Sequence, residues 1–227
     1  MLGGLVGFWF AALPTDPPST KKAANMKKLK HVVLLDREKV QRAATELNDG
    51  YGKGFTLLAF LSAQCRNSDP FNRWGEQALR KFLGWDTRTV KTWLGRLTAG
   101  GWIKRTIQPG GLEETEVMLV TDNSDCILWR CGPIQNEKLK KIGVAVKSLM
   151  VLATWADPKS LKVANGKQPM AEFVAEKTGL SIPTAKRHIG TLKDAGLLHS
   201  YSGRSGRKKN AHDWYLSAKM LKVLPSA

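Results

Sequence analysis

Cysteine is scarce in this chain of 227 residues, with only Cys65, Cys126 and Cys131 present. An odd number of scattered thiols does not build a disulfide framework, and reduced cysteines are typical of the cytoplasm. Cys126 and Cys131 have no second pair to complete a tetrahedral zinc site, and the four histidines lack zinc-ligand spacing. The sequence therefore predicts a cytoplasmic protein without a bound metal.

Long apolar segments are also missing. Residues 2–13, LGGLVGFWFAAL, are apolar but only twelve long, whereas a helix needs about 20 residues to cross a bilayer. No basic flank precedes them, as a secretion signal would require. The segment PTDPPSTKK that follows has the composition of a linker. We therefore interpret residues 1–25 as a disordered leader, take Met26 as an alternative start, and expect no membrane partner.

The residue sets that catalysis commonly uses are not recognisable. The glycines of GYGKGF at 50–55 do not form a GxxxxGK[ST] phosphate loop. No HxH pair stands near a tyrosine, as nicking enzymes need, and no carboxylates cluster for two-metal chemistry. We therefore expect no catalytic residues, no enzyme activity and no cofactor.

Acidic residues are few relative to basic ones. The chain has 36 Lys and Arg against 19 Asp and Glu, a formal charge of +17. An excess of this size favours a polyanionic partner over a neutral small molecule. The net charge is +6 over residues 26–121 and +9 over residues 145–227. The composition thus indicates nucleic acid as the partner and the second half as the more basic contributor.

The chain contains an internal repeat. Residues 55–103 and 150–198 align 95 positions apart without a gap, and the best-matched segments are LGWDTRTVKTWLGRLTAGGWI (83–103) and TGLSIPTAKRHIGTLKDAGLL (178–198). A repeat of this length predicts two copies of one domain. The identities fall at Gly84/Gly179, Thr89/Thr184, Lys91/Lys186, Gly95/Gly190, Leu97/Leu192 and Gly101/Gly196.

Each copy is expected to hold three helices and a β-hairpin, so the predicted fold class is mainly α with small β-hairpins (α+β). We place the first copy at 26–121, with an additional helix over 36–49, a linker at 122–144, and the second copy at 145–227. In the first copy, helices are predicted over 55–63, 73–84 and 87–100, and strands over 102–107 and 115–121. In the second copy, helices are predicted over 146–157, 171–179 and 182–196, and strands over 197–201 and 214–218. Within the linker, a short strand is predicted over 126–130 and a helix near 136–142.

The residues around each third helix form one pattern: a glycine, an apolar residue, an Asp or Ser cap, a threonine three positions later, then apolar positions leading to a final glycine. This pattern resembles the winged helix-turn-helix superfamily, and both copies fit it. The resemblance implies two winged-helix domains in tandem. It also implies that the third helix of each enters the major groove of DNA.

One face of each third helix is expected to bind DNA, because the other is apolar. Arg88 and Arg187 are candidates for base or phosphate contacts, since a guanidinium can donate two parallel hydrogen bonds. The alternative for each is a solvated helix arginine. Trp93 and His188 are expected to pack partly buried beside the apolar stripe. The candidate DNA-binding residues of the helices are Thr87, Arg88, Lys91 and Thr92 in the first copy and Ile182, Pro183, Thr184, Lys186 and Arg187 in the second.

Gly95 and Gly190 stand inside these helices, where glycine costs ~1 kcal/mol relative to alanine. Matching glycines in both copies suggest a space constraint. Close approach of a DNA backbone, tight packing on a neighbouring helix, and shared ancestry without present use remain as explanations.

The two predicted wings differ in charge. The segment SGRSGRKKN of the second wing is suited to phosphates or a minor groove, whereas Glu113 and Glu114 in the first wing would be repelled by phosphate. We expect the first wing to point away from DNA or to meet a basic protein surface, including that of a partner subunit or a second copy of the chain. The second copy is therefore expected to bind DNA more tightly. Its predicted wing contacts are Arg204, Arg207, Lys208 and Lys209.

Two classes of function are consistent with these observations. The first is a sequence-specific double-stranded DNA-binding protein, associated with the nucleoid: a transcription regulator reading a two-part site, or a plasmid or phage replication initiator binding an origin. The second is a tandem winged-helix scaffold for protein interactions. Such scaffolds usually lack concentrated positive charge, and fold alone does not decide between these functions.

Overall fold

The computed structural model describes residues 32–47, 52–65, 69–109, 113–121, 126–130, 133–166, 168–202, 212–217 and 221–223. These residues form a mixture of α-helices and small antiparallel sheets, as the sequence predicts. Within them, every helix is too short or too polar to span a membrane. The predicted leader at 1–25 and the four cations of the second wing lie outside the described residues.

The helices and strands follow the order that the repeat predicts, with additional elements at both ends and between the copies. The helices are α1 (Arg37–Glu46), α2 (Lys53–Gln64), α3 (Glu76–Leu83), α4 (Thr87–Ala99), α5 (Pro133–Ile142), a 3-10 turn (Gly143–Ala145), α6 (Val146–Thr154), α7 (Met170–Thr178) and α8 (Ile182–Asp194). The strands are β1 (Val32–Asp36), β2 (Phe71–Asn72), β3 (Ile103–Ile107), β4 (Glu113–Val117), β5 (Cys126–Arg130), β6 (Leu198–Ser202), β7 (His212–Leu216) and β8 (Leu221–Val223).

The repeat in the sequence is also a repeat of helix and strand boundaries. Helices α4 and α8 are both thirteen residues long and begin 95 positions apart, as do strands β3 and β6. Gly84 and Gly179 end the preceding helices with φ angles of 66° and 67°. Only glycine adopts this left-handed conformation without strain, so the turn before each third helix is the same in both copies.

A single hydrophobic core runs through both copies. Every residue of α6 is buried, and α1 and α2 of the first half both contact it. At its end, the amide Nε2 of Gln41 in α1 donates a hydrogen bond of 3.0 Å to Oγ1 of Thr154. Most of the buried apolar residues of the two copies form one continuous cluster, while Leu34, Cys126 and Leu128 form a small separate one. The first half is therefore packed directly on the second rather than tethered to it by the linker alone.

In each copy, a third segment of the chain pairs with the predicted β-hairpin. In the first copy the strand order is β2-β4-β3, with β4 in the middle and Arg105 opposite Thr115. In the second copy β6 pairs with β7, and an isolated bridge joins Lys162 to Tyr215 on the outer side of β7. In both copies, therefore, the chain between the first and second helices pairs with the returning strand of the hairpin.

A third sheet, which the sequence interpretation did not include, has the order β1-β5-β8. Strand β5 pairs antiparallel with β1 on one side and with β8 on the other. The segment predicted as a linker thus contains the central strand of this sheet, and Leu139 and Ile142 of α5 are buried in the core. The predicted strand at 126–130 and helix near 136–142 are confirmed, while the domain boundaries stay a prediction.

Among the elements whose bounds differ from the prediction, α3 and β4 are the two with a clear local reason. Helix α3 begins at Glu76 rather than 73, because Oδ1 of Asn72 accepts a hydrogen bond from the backbone N–H of Trp74 and holds that segment in a turn. Strand β4 starts at Glu113 and ends at Val117, not at 115 and 121. The chain beyond it turns toward β1, where the N–H of Thr121 donates to the carbonyl of Leu34.

Candidate nucleic-acid interface

Both third helices begin with the same side-chain cap. In α4, a carboxylate oxygen of Asp86 accepts from the N–H of Thr89 at 2.8 Å, and the Thr89 hydroxyl donates to the other oxygen at 2.7 Å. In α8, the Ser181 hydroxyl accepts from the N–H of Thr184 at 3.4 Å and donates to its hydroxyl at 2.9 Å. Hydrogen bonds from Thr89, first from its hydroxyl and then from its N–H, lower the pKa of Asp86. The Thr89/Thr184 identity in the repeat is therefore explained by capping.

The apolar faces of α4 and α8 are buried as predicted. Val90, Leu94 and Leu97 in the first copy and Ala185, Ile189 and Leu192 in the second all belong to the core. Trp93 and His188 pack beside them, and both are buried rather than partly buried. This burial fixes the rotation of each helix, so the opposite face points outward.

The outward faces carry most of the candidate DNA-binding residues. Thr184 is the exception: it is only 9% exposed, because it faces the cap of α8 and accepts a hydrogen bond from Nη2 of Arg187 at 3.2 Å, and its contact with DNA stays a prediction. It belongs to the framework of the helix rather than to its open face. The exposed residues are Thr87, Arg88, Lys91 and Thr92 on α4 and Ile182, Pro183, Lys186 and Arg187 on α8.

The cations on these faces differ in what surrounds them. The side chains of Arg88 and Lys186 make no hydrogen bond or ion pair with any residue that the structure describes. The side chain of Arg187 donates one hydrogen bond within the same described part, to the hydroxyl of Thr184. Lys91, in contrast, lies 3.8 Å from a carboxylate oxygen of Glu76. The open positive charge is therefore greater on α8 than on α4.

An ionic network connects the base of the first wing to the two helices of the turn. Arg105 on β3 pairs with Glu113 on β4, and its guanidinium lies 3.7 Å from Glu76. We call Glu76, Lys91, Arg105 and Glu113 the wing-base cluster. The charges of its two acids and two bases cancel. The sequence interpretation did not include Glu76 or Arg105 among the site residues, although the replacement of Glu76 by Ala171 in the repeat was a readable signal.

Glu114, the second acidic residue of the first wing, also has its polar partners within the first copy. A carboxylate oxygen of Glu114 lies 3.6 Å from Nε of Arg73, and the other accepts a hydrogen bond of 2.8 Å from the Gln108 amide. The basic surface that was expected to meet this wing is thus provided by the same copy of the domain. A partner subunit or a second chain at this wing stays a prediction.

Gly95 and Gly190 lie on the outward faces. Residues 88, 92 and 95 are separated by four and three positions, which places them on one side of the helix. A Cβ built on Gly95 or Gly190 would meet no described atom within 4 Å. Packing against the described part of the chain therefore does not explain these glycines, which leaves close approach of a DNA backbone or shared ancestry.

Replacing Gly95 or Gly190 by alanine is expected to raise the free energy of unfolding by roughly 0.5–1 kcal/mol, because alanine restricts the unfolded chain and favours the helix. If a DNA backbone approaches these positions, the same variants bind duplex DNA more weakly. Urea unfolding and a duplex titration measure the two quantities separately. Gly54→Ala is the contrasting control: its Cβ would lie 2.5 Å from Cζ3 of Trp93, so it should destabilise the fold. Unchanged affinity in the first two variants would leave shared ancestry as the explanation.

His188 is buried on the inner side of α8. Its Nδ1 lies 2.8 Å from the Ser148 hydroxyl of α6, and its side chain is 4% exposed. Burial lowers the pKa of His188 to about 4, with further contributions from the positive charges of Lys147 and Arg187. The imidazole is therefore neutral at pH 7 and serves as a packing and hydrogen-bonding group rather than as a base contact.

Among the described residues, no three His, Cys, Asp or Glu side chains come together as a metal site. Comparison with known proteins adds no relative: no protein-family model matches the chain, and no curated protein matches it in sequence. The candidate interface is therefore defined by its own geometry, which consists of two capped helices of equal length with exposed basic faces.

Proposed function

We propose that this chain carries two winged helix-turn-helix domains in tandem. The order of elements in each copy supports this: a buried helix, a short paired segment, a second helix, a glycine turn, a capped third helix and a β-hairpin. In both copies the short segment pairs with the returning strand of the hairpin. In winged-helix readers of DNA the third helix and the hairpin are the parts that contact DNA, and this order of elements supports the same role here.

On that basis, the protein is a sequence-specific double-stranded DNA-binding protein, associated with the nucleoid, which acts as a transcription regulator. The observation that carries this proposal is the exposure of Arg88, Lys186 and Arg187 at the start of the third helices without described acidic partners. The N-terminal part of such a helix is the part that contacts base edges. Guanidinium groups there suit guanine and phosphate oxygens.

Two third helices in one chain allow a two-part site to be read by a single molecule. If both helices face the same side of B-DNA, their half-sites lie ~10 bp apart or a multiple of that distance. Selection of bound sequences from a random duplex library, followed by footprinting, tests this directly. Two protected patches at such a spacing support the proposal, whereas no enrichment of any sequence contradicts it.

Mapping the bound sites in the genome then separates the two DNA-binding roles. Sites at promoters indicate a transcription regulator. Iterated sites beside an AT-rich segment indicate a replication initiator instead, with the same contacts to DNA. If the chain captures a partner protein but binds no duplex at any salt concentration, it acts as a protein-interaction scaffold.

Arg187→Ala is expected to weaken binding to the selected duplex by roughly 1–3 kcal/mol. If Arg187 reads a base, the protein no longer discriminates at one position of the site. If it holds a phosphate, all sequences weaken alike and the salt dependence decreases. Titration of a panel of single-base variants of the site distinguishes these outcomes.

Lys159→Ala is the matched control for that experiment, since Lys159 is an exposed cation in the turn after α6. It removes the same charge away from the third helices and is expected to leave affinity and specificity nearly unchanged. Equal effects of the two substitutions would show that Arg187 acts only through the net charge.

A further inference from the structure

We propose that Glu76 acts as a built-in competitor of DNA phosphate in the first copy. Its carboxylate holds two cations, Lys91 on α4 and Arg105 on β3, and so makes the first domain the weaker binder; α4 and α8 are called the first and second reading helices under this proposal. This inference rests on the proposed DNA-binding function and identifies the residue that makes the two domains unequal.

The contacts of Glu76 are with both of the elements that would face DNA. One carboxylate oxygen lies 3.8 Å from Nζ of Lys91 on α4, and the other lies 3.7 Å from the guanidinium of Arg105 on β3. Glu76 therefore bridges the reading helix and the wing. A phosphate group that approached between these elements would require the same two donors.

Glu76 is partly buried, which strengthens its ion pairs, but the two cations that it holds stay accessible to a phosphate group. The side chain of Glu76 is 30% exposed and that of Arg105 is 28% exposed, while Lys91 is 62% exposed. Lys91 in particular can exchange a carboxylate for a phosphate by rotation of its flexible side chain. Because the carboxylate is covalently fixed at this place, DNA must displace it to use either cation.

The second copy keeps the lysine of this arrangement but lacks its ionic partners. Ala171 stands in place of Glu76, Lys186 in place of Lys91 and Ser200 in place of Arg105. At the end of β3, Glu113 is the residue opposite Ile107, and at the corresponding end of β6, His212 is the residue opposite Ser202. Lys186 is exposed and has no described acidic partner. The two copies therefore carry the same basic surface in two forms: in the first copy its cations pair with Glu76, and in the second copy no equivalent carboxylate is present.

A reciprocal exchange tests the inference in the full-length protein. The variants are Glu76→Gln and Ala171→Glu, and the probe is a fluorescently labelled 20-bp duplex of fixed sequence titrated at several salt concentrations. Glu76→Gln should raise affinity by roughly threefold to tenfold, the range that one or two exposed ion pairs contribute. It should also steepen the salt dependence, since each further phosphate contact adds about 0.9 to the slope. Ala171→Glu should lower affinity and flatten the slope.

Two controls make the result specific. Glu46→Gln removes the same charge from a glutamate that pairs with Arg42 at 3.5 Å on α1, and it should change affinity much less than Glu76→Gln. Repeating Glu76→Gln in a chain that also carries Lys186→Ala and Arg187→Ala assigns the gain to the first copy, because the second reading helix is then disabled. Thermal melting of each variant verifies that the fold is retained.

The outcomes separate this inference from the function on which it rests. If the wild-type chain shows no salt-dependent duplex binding, the DNA-binding proposal fails. If the wild-type chain binds but Glu76→Gln changes affinity no more than Glu46→Gln does, the role of Glu76 is overturned and the DNA-binding proposal stands. A gain that disappears in the background with the disabled second helix likewise overturns it.

Discussion

Raising the salt concentration from 50 to 200 mM is expected to weaken duplex binding by about 10³-fold to 10⁵-fold if the protein contacts ~6 to 10 phosphates. Each contacted phosphate releases condensed counterions, and that release becomes less favourable as salt rises. The exposed cations of α4 and α8, together with the four cations of the predicted second wing, are numerous enough for this range. Fluorescence anisotropy with one labelled duplex over a series of salt concentrations measures the slope.

Replacing Arg204, Arg207, Lys208 and Lys209 together by alanine is expected to flatten that slope by up to about 3 to 4, because each phosphate that is no longer neutralised lowers it by about 0.9. The four residues were identified from the sequence as wing contacts. A wild-type chain that binds equally at both salt concentrations, or does not bind at all, would contradict the proposed function and favour the protein-interaction scaffold.

Lowering the pH from 7 to 4 is expected to remove about 3 kcal/mol of folding stability through His188 alone. Burial lowers the pKa of this imidazole from 6.5 to about 4 in the folded protein. Between these two values the unfolded chain takes up a proton that the folded chain does not, so stability falls as the pH falls through this window. Well above pH 6.5 the imidazole is neutral in both states and the effect is absent.

Comparison of wild type with His188→Gln isolates this contribution. Carboxylates with lowered pKa, such as Asp86 and Asp157, also reduce stability at low pH, but they do so equally in both proteins. Urea denaturation at pH 7, 5.5 and 4 should therefore show a smaller pH dependence in the variant. His199→Gln, which changes an exposed histidine, should behave like wild type. Equal pH dependence in all three proteins would exclude His188 as the source.

The starts of the third helices, at Thr87 and Ile182, were predictable to the residue because three signals coincide there, whereas their ends at Ala99 and Asp194 come one and two residues earlier than predicted. A glycine that tolerates positive φ, an Asp or Ser cap and an apolar stripe at helical spacing all fix the same starts. The repeat provided each signal twice. The burial of Thr184 was not visible in the same way: the repeat preserves this threonine, and only the structure shows that its hydroxyl accepts a hydrogen bond from the capping Ser181.

The sheet of β1, β5 and β8 could not be read from the sequence in the same way. Its strands are five, five and three residues long and come from distant parts of the chain. A run such as VVLLD is too short for its periodicity to show which strand it pairs with. The wing-base cluster was likewise hidden, because Glu76, Lys91, Arg105 and Glu113 are separated in sequence and meet only after the hairpin folds back.

Helix α6 is enclosed on all sides by the rest of the molecule, with α1 and α2 on one side and α7 and α8 on another. The distance between α4 and α8 is therefore determined by interdigitated side chains, as in the interior of any close-packed protein. Such packing resists a change in the spacing of the two helices. If both helices bind DNA as proposed, two DNA sequences with identical half-sites but different separations would be distinguished by the rigidity of the protein itself, without a single additional contact to a base.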